Sequence, residues 1–264
     1  MKITTNPVDP KLFFSKNDPQ DIRLGDCAQI LTENIADKHT DLVVWGYPDD
    51  EGIHLNGGRT GASLAPEIIR KYFYKMTPHP DCLNNNDRPQ ILDAGDLLKP
   101  LHSLIERHEQ ASHIAHWASE KQIPWISLGG GHDYGFADGD GFLRWACKEQ
   151  TDFNNKPLII NFDAHLDVRP MINSQANSGT PFRRLLEKYP NQFDFLQVGI
   201  QPQCNSKHHV DWAKSQGAEI LWLEQIEKQS LLSIIKNHLS KNINRPLWVS
   251  LDIDAIISSE APGC

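Results

Sequence analysis

Along this chain, short apolar runs alternate with longer stretches in which apolar positions recur every three or four residues. The short runs predict strands at Asp41–Trp45, Ile91–Ala94, Trp125–Leu128, Leu158–Phe162, Phe195–Val198, Ile220–Leu223 and Leu247–Leu251. Each is rich in β-formers or wholly apolar and is bounded by polar residues, glycine or proline. The helical spacing predicts helices over Pro66–Lys75, Leu101–Lys121, Phe142–Glu149, Phe182–Lys188, His209–Ser215 and Leu231–Leu239. In the last of these, Leu231, Leu232, Ile234, Ile235, His238 and Leu239 fall mostly on one face. Pro66 suits a first helical turn. Strands and helices in alternation imply parallel strands joined by crossover helices, hence an α/β fold with three αβα layers around a central, mainly parallel sheet. Pro78–Arg88 reads as a polar surface loop. No repeat, low-complexity tract or linker divides the chain, so residues 1–264 are expected to form a single domain.

In such sheets, ligands bind beyond the carboxyl ends of the strands, and three of those ends carry unusual chemistry. Gly129-Gly130-Gly131-His132-Asp133 follows the third strand, Asp163-Ala164-His165-Leu166-Asp167 the fourth, and Asp252-Ile253-Asp254 the last. In extended backbone, alternate side chains share a face, which would aim 163, 165 and 167 together, and likewise 252 and 254. Carboxylates crowded into one crevice repel and are costly to desolvate unless a cation lies among them. A paired divalent-metal site is the reading that answers this, with His132, Asp163, His165, Asp167, Asp252 and Asp254 as ligands. Carboxylates with a minority of imidazoles suit a hard first-row ion, manganese above all. The three glycines do not read as a phosphate cradle: no Gly-Lys-Ser/Thr follows them and the G-x-G-x-x-G spacing is absent.

Composition narrows the function classes. Of 264 residues, 39% are hydrophobic and 23% charged, an ordinary globular balance, and the net charge of −8 argues against a nucleic-acid partner. No stretch approaches the roughly 18 apolar residues that span a bilayer, and the N-terminus lacks a secretory apolar run. Five scattered cysteines without a C-x-x-C pair suit a reducing compartment, so the expected location is cytoplasmic. Arg183 and Arg184 read as solvated helix positions. His113, His116, His208 and His209 read as helix residues without a role in the site, and Trp117, Trp145 and Trp212 as packing residues.

Taken together, Gly-Gly-Gly-His132, Asp163-Ala-His165-Leu-Asp167 and Ser250-Leu-Asp252-Ile-Asp254 resemble the three metal motifs of the ureohydrolases, the arginase–agmatinase–formimidoylglutamase family. The resemblance runs from about Asp41 to the last residue. It implies an arginase-like α/β fold, two Mn2+ ions, a small-molecule amidine or guanidino substrate and a homo-oligomer. Further segments resemble the formimidoylglutamases in particular: Asp49-Asp50-Glu51-Gly52 with Asn56 to Ala62, Asp167-Val168-Arg169, and Asn177-Ser178-Gly179-Thr180-Pro181-Phe182. By that resemblance the activity is hydrolysis of N-formimino-L-glutamate, a step of histidine degradation. Asp167 would then be catalytic, and Arg59, Arg169, Asn177 and Ser178 would contact substrate. Two arginines suit a substrate with two carboxylates and would repel the amine of agmatine. Agmatinase, arginase or another guanidino-acid hydrolase is the alternative within the family. A catalytically silent metal-binding scaffold or assembly subunit is the alternative outside it, and an amide deacetylase on a related fold a more distant one. The chain stops at Cys264, ten residues after Asp254, where family members continue, so the resemblance also implies that its C-terminal part is missing.

Overall fold

Val43 and Trp45 point to one side of their strand and Val44 to the other, and all three are completely buried. A strand covered on both faces has to read as a continuous apolar run, which is why these segments stand out. The computed structural model describes residues 5–32, 39–86, 88–97, 103–148, 156–228, 230–240 and 244–262. Its strands are β1 (Thr5–Asn6), β2 (Ala28–Ile30), β3 (Leu42–Gly46), β4 (Ile91–Leu97), β5 (Trp125–Leu128), β6 (Leu158–Phe162), β7 (Asp194–Ile200), β8 (Glu219–Trp222) and β9 (Leu247–Leu251). Its α-helices are α1 (Glu51–Leu55), α2 (Ala65–Phe73), α3 (Leu104–Glu120), α4 (Tyr134–Ala146), α5 (Pro181–Lys188), α6 (Lys207–Ser215), α7 (Leu223–Lys228) and α8 (Leu231–Ser240).

The strands pair as two ladders. One runs β1-β4-β3-β5 with β2 also on β4, and the other runs β8-β7-β6-β9. Every pairing is parallel except that of β1 with β4. Helices cover both faces of each ladder. Ala111, Ile114 and Ala115 of α3 pack with Val43 and Trp45, while Tyr74, just past α2, packs with Val44 and Leu128. Leu143 of α4, Leu185 of α5 and Ala213 of α6 cover Ile159, while Leu231 and Ile235 of α8 cover Leu158 and Ile160. The expected three layers are present, but the expected central sheet is built as two hydrogen-bonded halves. Among the described residues, β5 and β9 share no ladder, and the loop after β5 reaches β9 where His132 Nε2 lies 2.9 Å from Ser250 Oγ. On β9, Trp248 and Ser250 are buried, whereas Leu247, Val249 and Leu251 are exposed.

Helix α4 starts eight residues before the expected Phe142. Gly135, Gly139 and Gly141, with Asp138 and Asp140, hide its first half from propensity reasoning. Packing explains why the helix forms there. A Cβ on Gly141 would stand 2.4 Å from the Ser112 carbonyl oxygen and 2.6 Å from the Ala115 Cβ, so glycine lets α4 press against α3. The short elements β1, β2 and α1 carry no periodic signal, and Leu223, expected to end a strand, begins α7. Leu101, Asp87 and Glu149, which bound or belong to expected elements, lie outside the described residues, as do Gly263 and Cys264. The expected loop Pro78–Arg88 holds a 3-10 stretch over Pro80–Asn86. Arg184 corrects a further expectation. It is buried, lies 3.4 Å over the Phe136 ring and is 2.9 Å from His108 Nδ1, so it is a packing residue of the α4–α5 contact.

Asp138 of α4 is buried, and its carboxylate accepts hydrogen bonds from Tyr47 Oη and Ser127 Oγ, both at 2.6 Å. Burial pushes its carboxyl up to about 7, whereas an unfolded aspartate titrates near about 3.9. The folded state therefore holds a proton that the unfolded state has lost. This contribution to stability is fully present below about pH 4 and disappears as the pH rises through about 7. Thermal melts of metal-free protein should show Asp138→Asn gaining on the wild type across that window by at least about 1 kcal/mol. A gap that stays constant with pH would refute the assignment.

Candidate metal centre

The site is assembled where β5, β6 and β9 end. After β5, Gly129 and Gly130 adopt φ of 64° and 78°, a backbone that favours glycine. A Cβ on Gly130 would lie 2.5 Å from the Tyr47 carbonyl oxygen, so the loop lies against the end of β3 and delivers His132 inward. Two neighbouring contacts hold the turn. Asp133 meets buried His108 at 2.7 Å, and Tyr134 Oη donates to Asp49, which also accepts from Arg107 Nε at 2.7 Å.

The side chain of His132 reaches three carboxylates. Its Nδ1 lies 2.9 Å from Asp167 Oδ2, 3.0 Å from Asp252 Oδ2 and 3.2 Å from Asp163 Oδ2. Its Nε2 lies 2.9 Å from Ser250 Oγ on β9, and the Phe182 ring packs edge-on against it. His165 forms the second focus, with Nδ1 2.7 Å from Asp254 Oδ2 and 3.7 Å from Asp163 Oδ1. All six expected ligands thus come together, divided into His132, Asp163, Asp167 and Asp252 on one side and Asp163, His165 and Asp254 on the other. In each group the potential ligand atoms lie within 4.8 Å of one another. Asp163, fully buried, belongs to both.

The route to this arrangement differs from simple strand alternation. β6 ends at Phe162, and the segment that follows is bent, with Asp167 in the left-handed region at φ 48°. That turn sends Asp167 to His132 and leaves His165 facing Asp254. Likewise Asp252 caps a short 3-10 turn, Ile253–Ala255, by accepting from Asp254 N, which separates the two aspartates.

The electrostatics fit a cationic occupant. Burial and the neighbouring Asp163 charge push Asp167 up to about 7, and burial also raises Asp254. Burial opposes ionisation of Asp163 as well, but hydrogen bonds from His132 and His165 outweigh it and hold the carboxyl well below the usual range. Hydrogen bonds to Asp163 and Asp254 push His165 up to about 11. Burial works against a charged His132, yet Asp252, Asp163 and Asp167 carry it well above its ordinary value. In this arrangement protons on the imidazoles offset the carboxylate charge. Divalent ions would do so more completely, and the oxygen-rich donor set suits them.

The cluster opens into a cavity of about 530 Å3, lined among others by His165, Asp167, Asp252 and Asp254. Arg169, Asn56 and Ser178 line it too, as a hydrogen-bonded string: Arg169 Nη1 donates to Asn56 Oδ1 at 2.9 Å, and Asn56 Nδ2 to Ser178 Oγ at 3.0 Å. Two other expected substrate contacts lie elsewhere. Arg59 is exposed on the α1–α2 connection and Asn177 accepts from Gly179 N within its own turn; neither lines the cavity. The opposite wall, Gln203, Cys204, Asn205, Ser206 and His209, escaped sequence reasoning. Its residue types are common at a loop and helix start, and only the fold brings them beside the ligand cluster.

The arginase family profile matches residues 40–264. The formimidoylglutamase of Staphylococcus carnosus is 29% identical over 235 residues, 88% of this chain and 71% of that protein. That of Clostridium tetani is 34% identical over 186 residues, 69% of this chain and 52% of that protein. Among solved structures, a Trypanosoma cruzi formiminoglutamase with two Mn2+ ions superposes with a TM-score of 0.76 at 26% identity, covering 92% of this chain and 80% of the other. The formimidoylglutamase from Bacillus subtilis, 23% identical with a TM-score of 0.77 over 95% of this chain and 76% of its own, has the same fold.

Proposed function

Because this chain belongs to the arginase family, we propose that it hydrolyses N-formimino-L-glutamate to L-glutamate and formamide with the help of two Mn2+ ions. One observation carries the reading: two ligand groups joined by a single buried carboxylate, Asp163, at the mouth of a polar cavity. His132, Asp163, Asp167 and Asp252 would hold one ion, and Asp163, His165 and Asp254 the other. When bound, such a pair supplies Lewis acidity that makes water nucleophilic at neutral pH. The formimidoylglutamases that the chain resembles supply the choice of substrate.

The chain's own residues divide the remaining work. Asp167 lines the cavity and gives one carboxylate oxygen to His132, so its carboxylate can orient the attacking water. Water adds to the formimino carbon, which becomes tetrahedral. The bond to the glutamate nitrogen then breaks as that nitrogen takes a proton. Arg169, held by Asn56, presents a guanidinium to a substrate carboxylate, and Ser178 adds a hydroxyl beside it. We read residues 1–264 as one domain, since His132 and Ser250 join the two ladders. We also place the protein in the cytoplasm as a homo-oligomer. No helix among the described residues is long and apolar enough to cross a membrane.

Manganese-loaded protein should act on N-formimino-L-glutamate with a kcat/KM at least about 10²-fold above that for arginine, agmatine or 4-guanidinobutyrate. Arg169→Gln should raise KM for the formimino substrate by roughly tenfold with kcat little changed, the pattern of lost uniform binding. Preference for agmatine would overturn the substrate assignment. Bound manganese without turnover of any of the four would point to the scaffold reading.

A further inference from the structure

Beyond β6 the segment carrying Asp163, His165 and Asp167 leaves the ladder, yet its peptide groups do not go unpaired. β7 follows β6 in parallel as far as Phe162 opposite Val198, and Asp163 N still donates to the Val198 carbonyl at 3.1 Å. The main chain of β7 then turns away at Gln201, whose N–H makes a last bond to the Ala164 carbonyl at 3.0 Å. From the next turn, Asn205 takes over. Its Oδ1 accepts from Leu166 N at 2.9 Å, and its Nδ2 donates to the Ala164 carbonyl at 2.9 Å and the Gln201 carbonyl at 2.8 Å.

In a parallel ladder, one residue donates to the carbonyl before its opposite number and accepts from the N–H after it. The primary amide of Asn205 does the same across His165, gripping the carbonyl of 164 and the N–H of 166. It shares the Ala164 carbonyl with Gln201 N and supplies the acceptor for Leu166 N in place of the Gln201 carbonyl, which is turned to Asn205 Nδ2. A separate amide serves the other side of the bend: Gln197 Nε2 donates to the Leu166 carbonyl at 2.8 Å, directly before the left-handed Asp167. Ala164 and Leu166 are buried, so water does not replace these partners readily.

We propose that Asn205 is a positioning residue that extends the β6–β7 ladder with its side chain and thereby fixes His165 for the metal ion shared with Asp254, while Gln197 fixes the turn into Asp167. The inference rests on the metal-centre reading above. Groups behind ligands commonly tune metal affinity by about 10–100-fold, and here the effect should be confined to one ion.

Stepwise Mn2+ binding, followed by the electron paramagnetic resonance signal of free Mn2+, tests this on the full chain. His165→Ala first identifies the step that depends on His165. Asn205→Ala should weaken that same step by about 10–100-fold and leave the other within roughly twofold. Asn205→Asp, which keeps the acceptor for Leu166 N but loses both donors, should weaken the same step and guards against misfolding of the alanine variant. Equal weakening of both steps, or no change in either, overturns the inference, because a merely structural loss would not select one ion. A wild-type chain that takes up no Mn2+ would instead overturn the metal-centre reading itself.

Discussion

Replacing Asp163 with alanine is expected to strip the protein of tightly bound manganese and to lower turnover of N-formimino-L-glutamate by at least about 10³-fold. The expectation comes from where the residue sits. Its Oδ2 lies 3.2 Å from His132 and its Oδ1 3.7 Å from His165, so one side chain serves both ligand groups. It is fully buried, and three contacts fix its two oxygens: His165 N donates to Oδ1 at 2.7 Å, Asn161 Nδ2 to Oδ2 at 3.1 Å, and His132 approaches Oδ2. If Asp163 serves both ions as proposed, alanine removes a ligand from each at once, and metal ions of this kind supply several kcal/mol of transition-state stabilisation. At about 1.4 kcal/mol per decade, losing them corresponds to a thousandfold or more. Asp163→Asn keeps the shape and should behave almost as badly, since a neutral amide is a poor ligand for a hard cation. Metal content by mass spectrometry, read beside activity, decides the matter. Full manganese occupancy with near-normal turnover in either variant would remove Asp163 from the centre.

Much of this architecture was legible in the amino-acid pattern, for a physical reason. Strands such as Leu158–Phe162 are sandwiched between helices and therefore announce themselves as apolar runs. Their carboxyl ends then pointed to the chemistry, and all six expected ligands come together. What stayed hidden depends on contacts distant in sequence. The start of α4 violates helix propensity because its glycines answer to α3. The division into two ligand groups follows from the left-handed backbone of Asp167, which no short-range signal announces. His209, read as an ordinary helix residue, lines the cavity because the turn capped by Ser206 places α6 there. Arg184 reads like any exposed arginine until Phe136 and His108 are seen around it.

The largest loss of stability is expected from Arg70, another charged residue that the helical pattern of α2 did not distinguish. Its guanidinium is almost wholly buried between α2 and β4 and is bonded in several directions. Nε and Nη2 hold the two oxygens of Asp93 at 2.8 and 3.0 Å, Nη1 donates to Asp96 at 2.6 Å, and Nη2 also reaches the Gly95 carbonyl at 3.0 Å. Tyr74 Oη adds a hydrogen bond to Asp93 at 2.6 Å. Arg70→Met would leave the fully buried Asp93 without its counter-charge, which typically costs about 3–5 kcal/mol. For a chain of this size that lowers the melting temperature by roughly 6–20 °C. Arg70→Lys should fall between, keeping the charge but losing the two-pronged grip. The decisive comparison is the double variant Arg70→Met with Asp93→Leu. Because two buried charges are expensive to desolvate, removing both should recover much of what removing one destroys. A single variant within about 1 kcal/mol of wild type, or a double variant that loses as much as the sum of the two singles, would mean that the Arg70–Asp93 pair does not hold α2 to the sheet.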